Sequence, residues 1–220
     1  MTAPIDIKYP GDNPLFMIGT SGLGIKSLRE LASNIPGNFP CPIVFLLHSI
    51  RDGVRSKPID TFIKSHSRLK VEVATEGLAI RAGTIYVSDV NKHLTIAGDR
   101  FALKDDPADS RWRPNIDQLF ISGAQSYGEN AIGILLSGNL DDGVEGLREI
   151  TRKGGVTIAQ SPEDAYDPVL PLNAILKDHP SYVLPLHDMP ALFCELAGFQ
   201  AFDNQAEILE KAALTAARKK

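Results

Sequence analysis

Only two cysteines, Cys41 and Cys194, occur in 220 residues, and neither belongs to a CxxC pair. That scarcity excludes a disulfide scaffold and a cysteine zinc site, and it suits a reducing compartment. Positive charge is not in excess: 23 Lys+Arg face 27 Asp+Glu, for a net charge of −4. No basic run is long enough to neutralise a phosphate backbone, so nucleic acid is not an expected partner. Long apolar runs are missing too. The longest, Ile43 to Leu47, is far too short to cross a membrane. Met1 to Pro14 carries Asp6, Lys8 and Asp12 where a signal peptide needs an unbroken apolar stretch. The five histidines show no HxH, HxxxH or HExxH spacing, so no metal is expected. What remains is a cytoplasmic globular chain, 43% hydrophobic and 23% charged, of a length that suits one domain.

What is present is an alternation of strands and helices. Leu15 to Thr20 is an apolar run ending at a glycine-rich stretch, the signature of a buried parallel strand. Ile25, Leu28, Leu31 and Ala32 then recur at helical spacing, Pro36 and Pro40 end that helix, and Pro42 to Leu47 forms a second buried strand. Strand–helix–strand is the unit of a parallel α/β sheet. Val71–Ala74, Thr84–Val87 and Leu94–Ala97 read as short strands, the last two as an antiparallel hairpin at one edge. Residues 99 to 113 read as a charged surface loop. Alternation resumes with a helix from Pro114 to Tyr127, proline in its first turn, and a buried strand Ala131–Leu136. A helix Gly143–Lys153, a strand Val156–Ala159, a helix Leu170–Leu176, a strand Tyr182–Leu184 and a helix from Met189 follow. The Ala-rich end, Gln205 to Lys220, is helical by propensity and is expected to dock only loosely.

Ligands of an open parallel sheet bind beyond the carboxyl ends of its strands. There the sequence sets Ser21 after the first strand, His48 after the second, and Asp142 after the Ala131 strand. A hydroxyl, an imidazole that can take its proton and a carboxylate that can orient the imidazole are the three parts of nucleophilic acyl transfer. Each has a plainer role open to it. Ser21 suits a turn or helix cap, His48 a packed core position, and Asp142 the cap of the helix that begins at Gly143, with Asp141 competing for either task. A rival reading uses Gly19, Gly22 and Gly24 as a dinucleotide-binding turn. That motif needs an acidic residue at the end of the second strand, where the chain has His48, Ser49 and Ile50.

Taken together, several segments resemble the catalytic domain of the CheB family, the chemotaxis protein-glutamate methylesterases. They are Ile18-Gly19-Thr20-Ser21, the strand ending in His48, Tyr86-Val87 with Asn91-Lys92-His93, Arg113-Pro114-Asn115-Ile116-Asp117, Leu136-Ser137-Gly138 to Asp142-Gly143, and Ala159-Gln160. The resemblance runs from about residue 15 to 196. It implies a doubly wound, mostly parallel sheet with helices on both faces and a hairpin. It also implies hydrolysis of glutamyl methyl esters on the cytoplasmic helices of chemoreceptors, releasing methanol; some members deamidate receptor glutamines. Residue by residue it assigns the nucleophile to Ser21, the base to His48 and the acid to Asp142, with Gly22, Asn139 and Arg113 at the oxyanion site or rim. No cofactor is implied. Leu23, Leu47, Ser49 and Asn139 depart from the family pattern, which bears on substrate fit and keeps a catalytically weak binding module as an alternative.

The expected division is an extension over 1–14, a catalytic domain over 15–198 and a helical tail over 199–220. Relatives commonly carry a receiver domain ahead of the catalytic one. Fourteen residues before Leu15 are too few for one, so a free-standing domain or a fragment, working without phosphorylation, is expected.

Overall fold

Every residue of Leu15–Ser21 is buried, as a strand covered on both faces requires. That is why it reads as a continuous apolar run. The computed structural model describes residues 8–50, 59–88, 92–105, 112–139 and 141–219. In chain order the elements are β1 (Leu15–Ser21), α1 (Ile25–Asn34), β2 (Ile43–Ile50), α2 (Ile59–Lys64), β3 (Lys70–Val73), β4 (Thr84–Val87), β5 (His93–Ala97), β6 (Arg100–Lys104) and β7 (Trp112–Arg113). They continue with α3 (Ile116–Tyr127), β8 (Ala131–Leu135), α4 (Val144–Arg152), β9 (Val156–Gln160), α5 (Val169–Lys177), β10 (Tyr182–Leu184), α6 (Met189–Leu196) and α7 (Gln205–Arg218).

Seven strands form a parallel sheet in the order β10-β9-β8-β1-β2-β4-β3. The chain builds outward from β1 on one side, then crosses back to build β8, β9 and β10 on the other. This reversal beside β1 is where an open α/β sheet leaves a crevice. The strands divide their side chains between two cores with period two. Phe16, Ile18, Ile43 and Phe45 pack with α1, α2, α6 and most of α7. Leu15, Met17, Val44 and Leu46 pack with α3, α4, α5 and the β5–β6 pair. The sheet is therefore doubly wound, with helices on both faces.

The hairpin is real, but its strands differ from those expected. Thr84–Val87 is a parallel strand beside β2, whereas His93–Ala97 pairs antiparallel with β6 in a separate two-stranded sheet. Two short apolar segments with a polar turn between them look alike in either arrangement, and both are buried on both faces, so only their partner strands tell them apart. Part of the expected 99–113 loop is thus strand β6, and Trp112–Arg113 is a strand as well. The third helix begins two residues after Pro114, because the Asn115 side chain caps it by accepting the Gln118 N–H at 2.8 Å. The C-terminal helix is not loosely docked. Ile208, Leu209, Ala212 and Ala213 are buried in the core, against β10 and α6.

Candidate functional site

Alternation along the strands aims two of the expected residues at one face. Ser21 shares the parity of Leu15 and Met17, and His48 that of Val44 and Leu46, so both side chains lie on the α3 side of the sheet. They are register partners in the parallel β1–β2 ladder. His48 does not follow its strand, as expected, but lies within it. The strand runs on to Ile50 because β7 pairs antiparallel with Ser49 and Ile50. Both Ser21 and His48 are almost fully buried, at 4% and 2% exposure.

Asp142 completes the cluster from the loop between β8 and α4. His48 Nδ1 and Asp142 Oδ2 are hydrogen-bonded. The carboxylate does not cap α4, the plainer role open to it. Instead Oδ2 accepts the Ile116 N–H at 2.8 Å and Oδ1 the Asp117 N–H at 3.2 Å. Asp142 thus caps the start of α3, where unpaired N–H groups and the helix dipole favour an anion. The competing Asp141 points outward, 69% exposed, and pairs with Lys177 at 3.2 Å.

Ser21 Oγ makes no hydrogen bond to a described residue. The structure therefore joins His48 to Asp142 and sets Ser21 beside them. The serine is held through its backbone: Ser21 N–H donates to Ser137 O at 3.2 Å, and Thr20 Oγ1 to the same carbonyl at 2.6 Å. Ser137 N–H in turn donates to the buried Gln160 side chain at 3.0 Å. Gly138 abuts the hydroxyl so closely that a Cβ there would stand 2.5 Å from Ser21 Oγ. Its N–H is committed to Asp167 O at 2.9 Å, which removes it from the available donors.

The glycines after β1 have reasons within the chain. Gly22 turns the backbone at φ +55, which favours glycine, and Gly24 leaves no space for a side chain against Thr20 and the Ser137 carbonyl. Of the rim candidates, Asn139 is exposed and Gly22 opens the single 3-10 turn before α1. Arg113 lies opposite Ser49 in the β2–β7 ladder. Its side chain, those of Leu23 and Ser49, and the whole of Asn91 lie outside the described residues. Leu47 is a core residue.

Two contributors carry no signal in a local reading. The Ile116 and Asp117 N–H groups act through main chain, which any residue supplies. His93 is buried, and its Nδ1 accepts the Asn115 N–H at 3.2 Å. Asp117 itself accepts the Gly146 N–H at 2.7 Å, tying α3 to α4. Burial pushes its carboxyl up to about 6, the Gly146 and Gly143 N–H groups oppose this, and the Asp142 charge adds to it. Among the described residues no cluster of His, Cys, Asp and Glu could hold a metal, and no helix is long and apolar enough to cross a membrane.

A doubly wound sheet carrying a serine beside a histidine–carboxylate pair at its carboxyl edge has the residue set of a serine hydrolase. The chain belongs to the CheB methylesterase family, whose profile matches residues 16–193. It is 33% identical over 182 residues to the protein-glutamate methylesterase FrzG of Myxococcus xanthus, covering 82% of this chain and 54% of that one. A Leptospira interrogans protein, provisionally named a protein-glutamate methylesterase/protein-glutamine glutaminase, is 32% identical over 82% of this chain and 93% of its own. The crystal structure of the Thermotoga maritima CheB methylesterase catalytic domain matches with a TM-score of 0.78 at 28% identity, over 84% of this chain and all of that one. The chain thus spans about half the length of FrzG and nearly the whole Leptospira protein.

Proposed function

We propose that this protein hydrolyses glutamyl methyl esters on the cytoplasmic helices of methylated chemoreceptors, as a cytoplasmic enzyme. The observation that carries the reading is the buried His48–Asp142 hydrogen bond next to Ser21. Ser21 Oγ attacks the ester carbonyl as His48 Nε2 takes its proton. The imidazolium returns that proton to the departing methoxide, and methanol leaves. Water, deprotonated by His48, then attacks the acyl-serine; the imidazolium returns that proton to Ser21 Oγ as it leaves, and the released acid ionises to the free carboxylate. Asp142 holds Nδ1 protonated and stabilises the imidazolium in both steps. The main-chain N–H groups of Gly22 and Asn139 are the proposed oxyanion donors, with Arg113 at the rim. Glutamine deamidation follows the same course with ammonia leaving, and relatives named glutaminases support it.

The test is methanol release from a methylated chemoreceptor cytoplasmic fragment. Ser21→Ala should abolish it, and His48→Ala should lower it at least ~10²-fold. His66→Ala and His187→Ala, on exposed residues, should leave it within about twofold of wild type, as surface changes far from the chemistry do. Near-wild-type turnover in either Ser21→Ala or His48→Ala would reject the mechanism.

A further inference from the structure

Among the described residues seven large hydrophobic side chains are exposed, and four of them fall within residues 166–176. Tyr166 is 52% exposed, Val169 43%, Leu172 42% and Leu176 69%. Residues 169, 172 and 176 follow the three-then-four spacing that places side chains in one stripe along a helix. The opposite side of α5, with Leu170, Pro171, Ala174 and Ile175, is buried in the domain. The helix is therefore apolar on both sides, and only one side is used by the fold.

The stripe starts at the candidate site. The Leu170 N–H donates to Gly138 O at 2.7 Å, and Gly138 is the residue against Ser21 Oγ. From there α5 runs nine residues, about 13 Å at 1.5 Å per residue. Its ends are marked by cations. Lys26 Nζ lies 5.1 Å from the centre of the Tyr166 ring, and Lys177 closes the last turn, where it pairs with Asp141. Two carboxylates flank the helix and both are engaged within the chain: Asp167 accepts the Val169 N–H, and Asp178 accepts the Thr151 hydroxyl.

We propose that Val169, Leu172 and Leu176 form the docking seam for a helix of the protein substrate, laid along α5 so that its esterified glutamate reaches Ser21. This rests on the methylesterase reading and adds how the substrate is held. The spacing matches the a–d–a seam with which one helix packs on another. Lys26, over the Tyr166 ring at the start of the stripe, suits a helix that carries free glutamates around the esterified one. A small ester reaches the serine without touching the seam, whereas a receptor helix must lie on it.

The experiment compares wild type with Leu172→Gln/Leu176→Gln, exposed positions at which folding is checked by circular dichroism. The ratio of kcat/KM on a methylated receptor fragment to kcat/KM on p-nitrophenyl acetate should fall at least tenfold in the variant, mainly through KM. Binding of the same fragment is measured separately by fluorescence anisotropy in the Ser21→Ala background. There the double substitution should weaken affinity at least tenfold. A ratio and an affinity both unchanged would overturn the seam. Sedimentation showing a wild-type dimer that the substitutions dissociate would assign the stripe to a second copy and overturn it too. If wild type hydrolyses no ester yet binding still depends on Leu172 and Leu176, the methylesterase reading fails and the seam stands. If hydrolysis is normal and only the seam dependence is missing, the reverse holds.

Discussion

At the residue scale, two adjacent aspartates show how position divides identical chemistry. Asp142 is gripped by two α3 N–H groups and bonded to His48, while Asp141 faces solvent and Lys177. Asp142→Asn should keep the fold and lower ester hydrolysis by ~10³–10⁴-fold, because the amide favours the wrong imidazole tautomer. Asp141→Asn should cost less than about threefold, as an exposed ion pair contributes little. Steady-state methanol release on the two variants checks the ranking, and the reverse order would exchange their roles. Asp117 is the third carboxylate of this cluster. Its folded pKa is about 6 against an ordinary value of 3.8, so the folded state binds the proton more tightly. Its contribution to stability is full below about pH 4 and lost as the pH rises through about 6. Asp117→Asn removes that titration and keeps an acceptor for Gly146. Urea unfolding at intervals from pH 4 to pH 7 should show wild type losing stability relative to the variant up to about pH 6, then running level. A flat difference would show that the carboxyl titrates normally.

At the element scale, the start of α3 is the junction of the site. His93 from β5 takes the Asn115 N–H, Asn115 caps the helix, and the next two N–H groups hold Asp142. The candidate site thus depends on the two-stranded sheet, which packs on α3, as well as on the main sheet. The C-terminal helix has the opposite character. It lies against β10 and α6, with Ile208 and Leu209 buried. Gln205 secures its start by accepting the Ala201 and Phe202 N–H groups, each at 2.7 Å. Ending the chain at Ala201 should lower stability by ~3 kcal/mol or more, at ~1.5 kcal/mol for the lost burial of each of Ile208 and Leu209. Thermal unfolding and methanol release on the truncated chain check this together. An unchanged Tm with a several-fold gain in turnover would make α7 a lid over the site, contrary to its packing.

At the scale of the whole molecule, the domain is built on one main sheet with an apolar layer on each face, and both cysteines lie in the same layer. Burial pushes the Cys41 thiol up to about 11 and, with Cys41 close by, the Cys194 thiol up to about 12. Neither forms the reactive thiolate near neutral pH. Both should resist a disulfide reagent at pH 8 and become labelled together, at the rate of global unfolding, as urea is raised. Labelling of either within seconds in the native protein would show that this layer opens locally. By its composition and periodicity the sequence determined the strand–helix alternation, because a strand buried on both faces must be apolar throughout and a docked helix must be apolar on one side. It also determined that Ser21 and His48 lie toward the carboxyl ends of β1 and β2, because each directly follows an apolar run, and that both share one face, because strand side chains alternate strictly. Periodicity did not settle the pairing of Thr84–Val87 and Leu94–Ala97, which depends on neighbours distant in the chain. The tertiary structure alone decided those partners and the strand pairing that carries β2 past His48. The motif resemblance assigns the acid to Asp142, but the reason it rather than Asp141 faces His48 lies in main-chain N–H groups some 25 residues upstream, and a main-chain donor leaves no mark on residue type, so only the folded backbone supplies that reason.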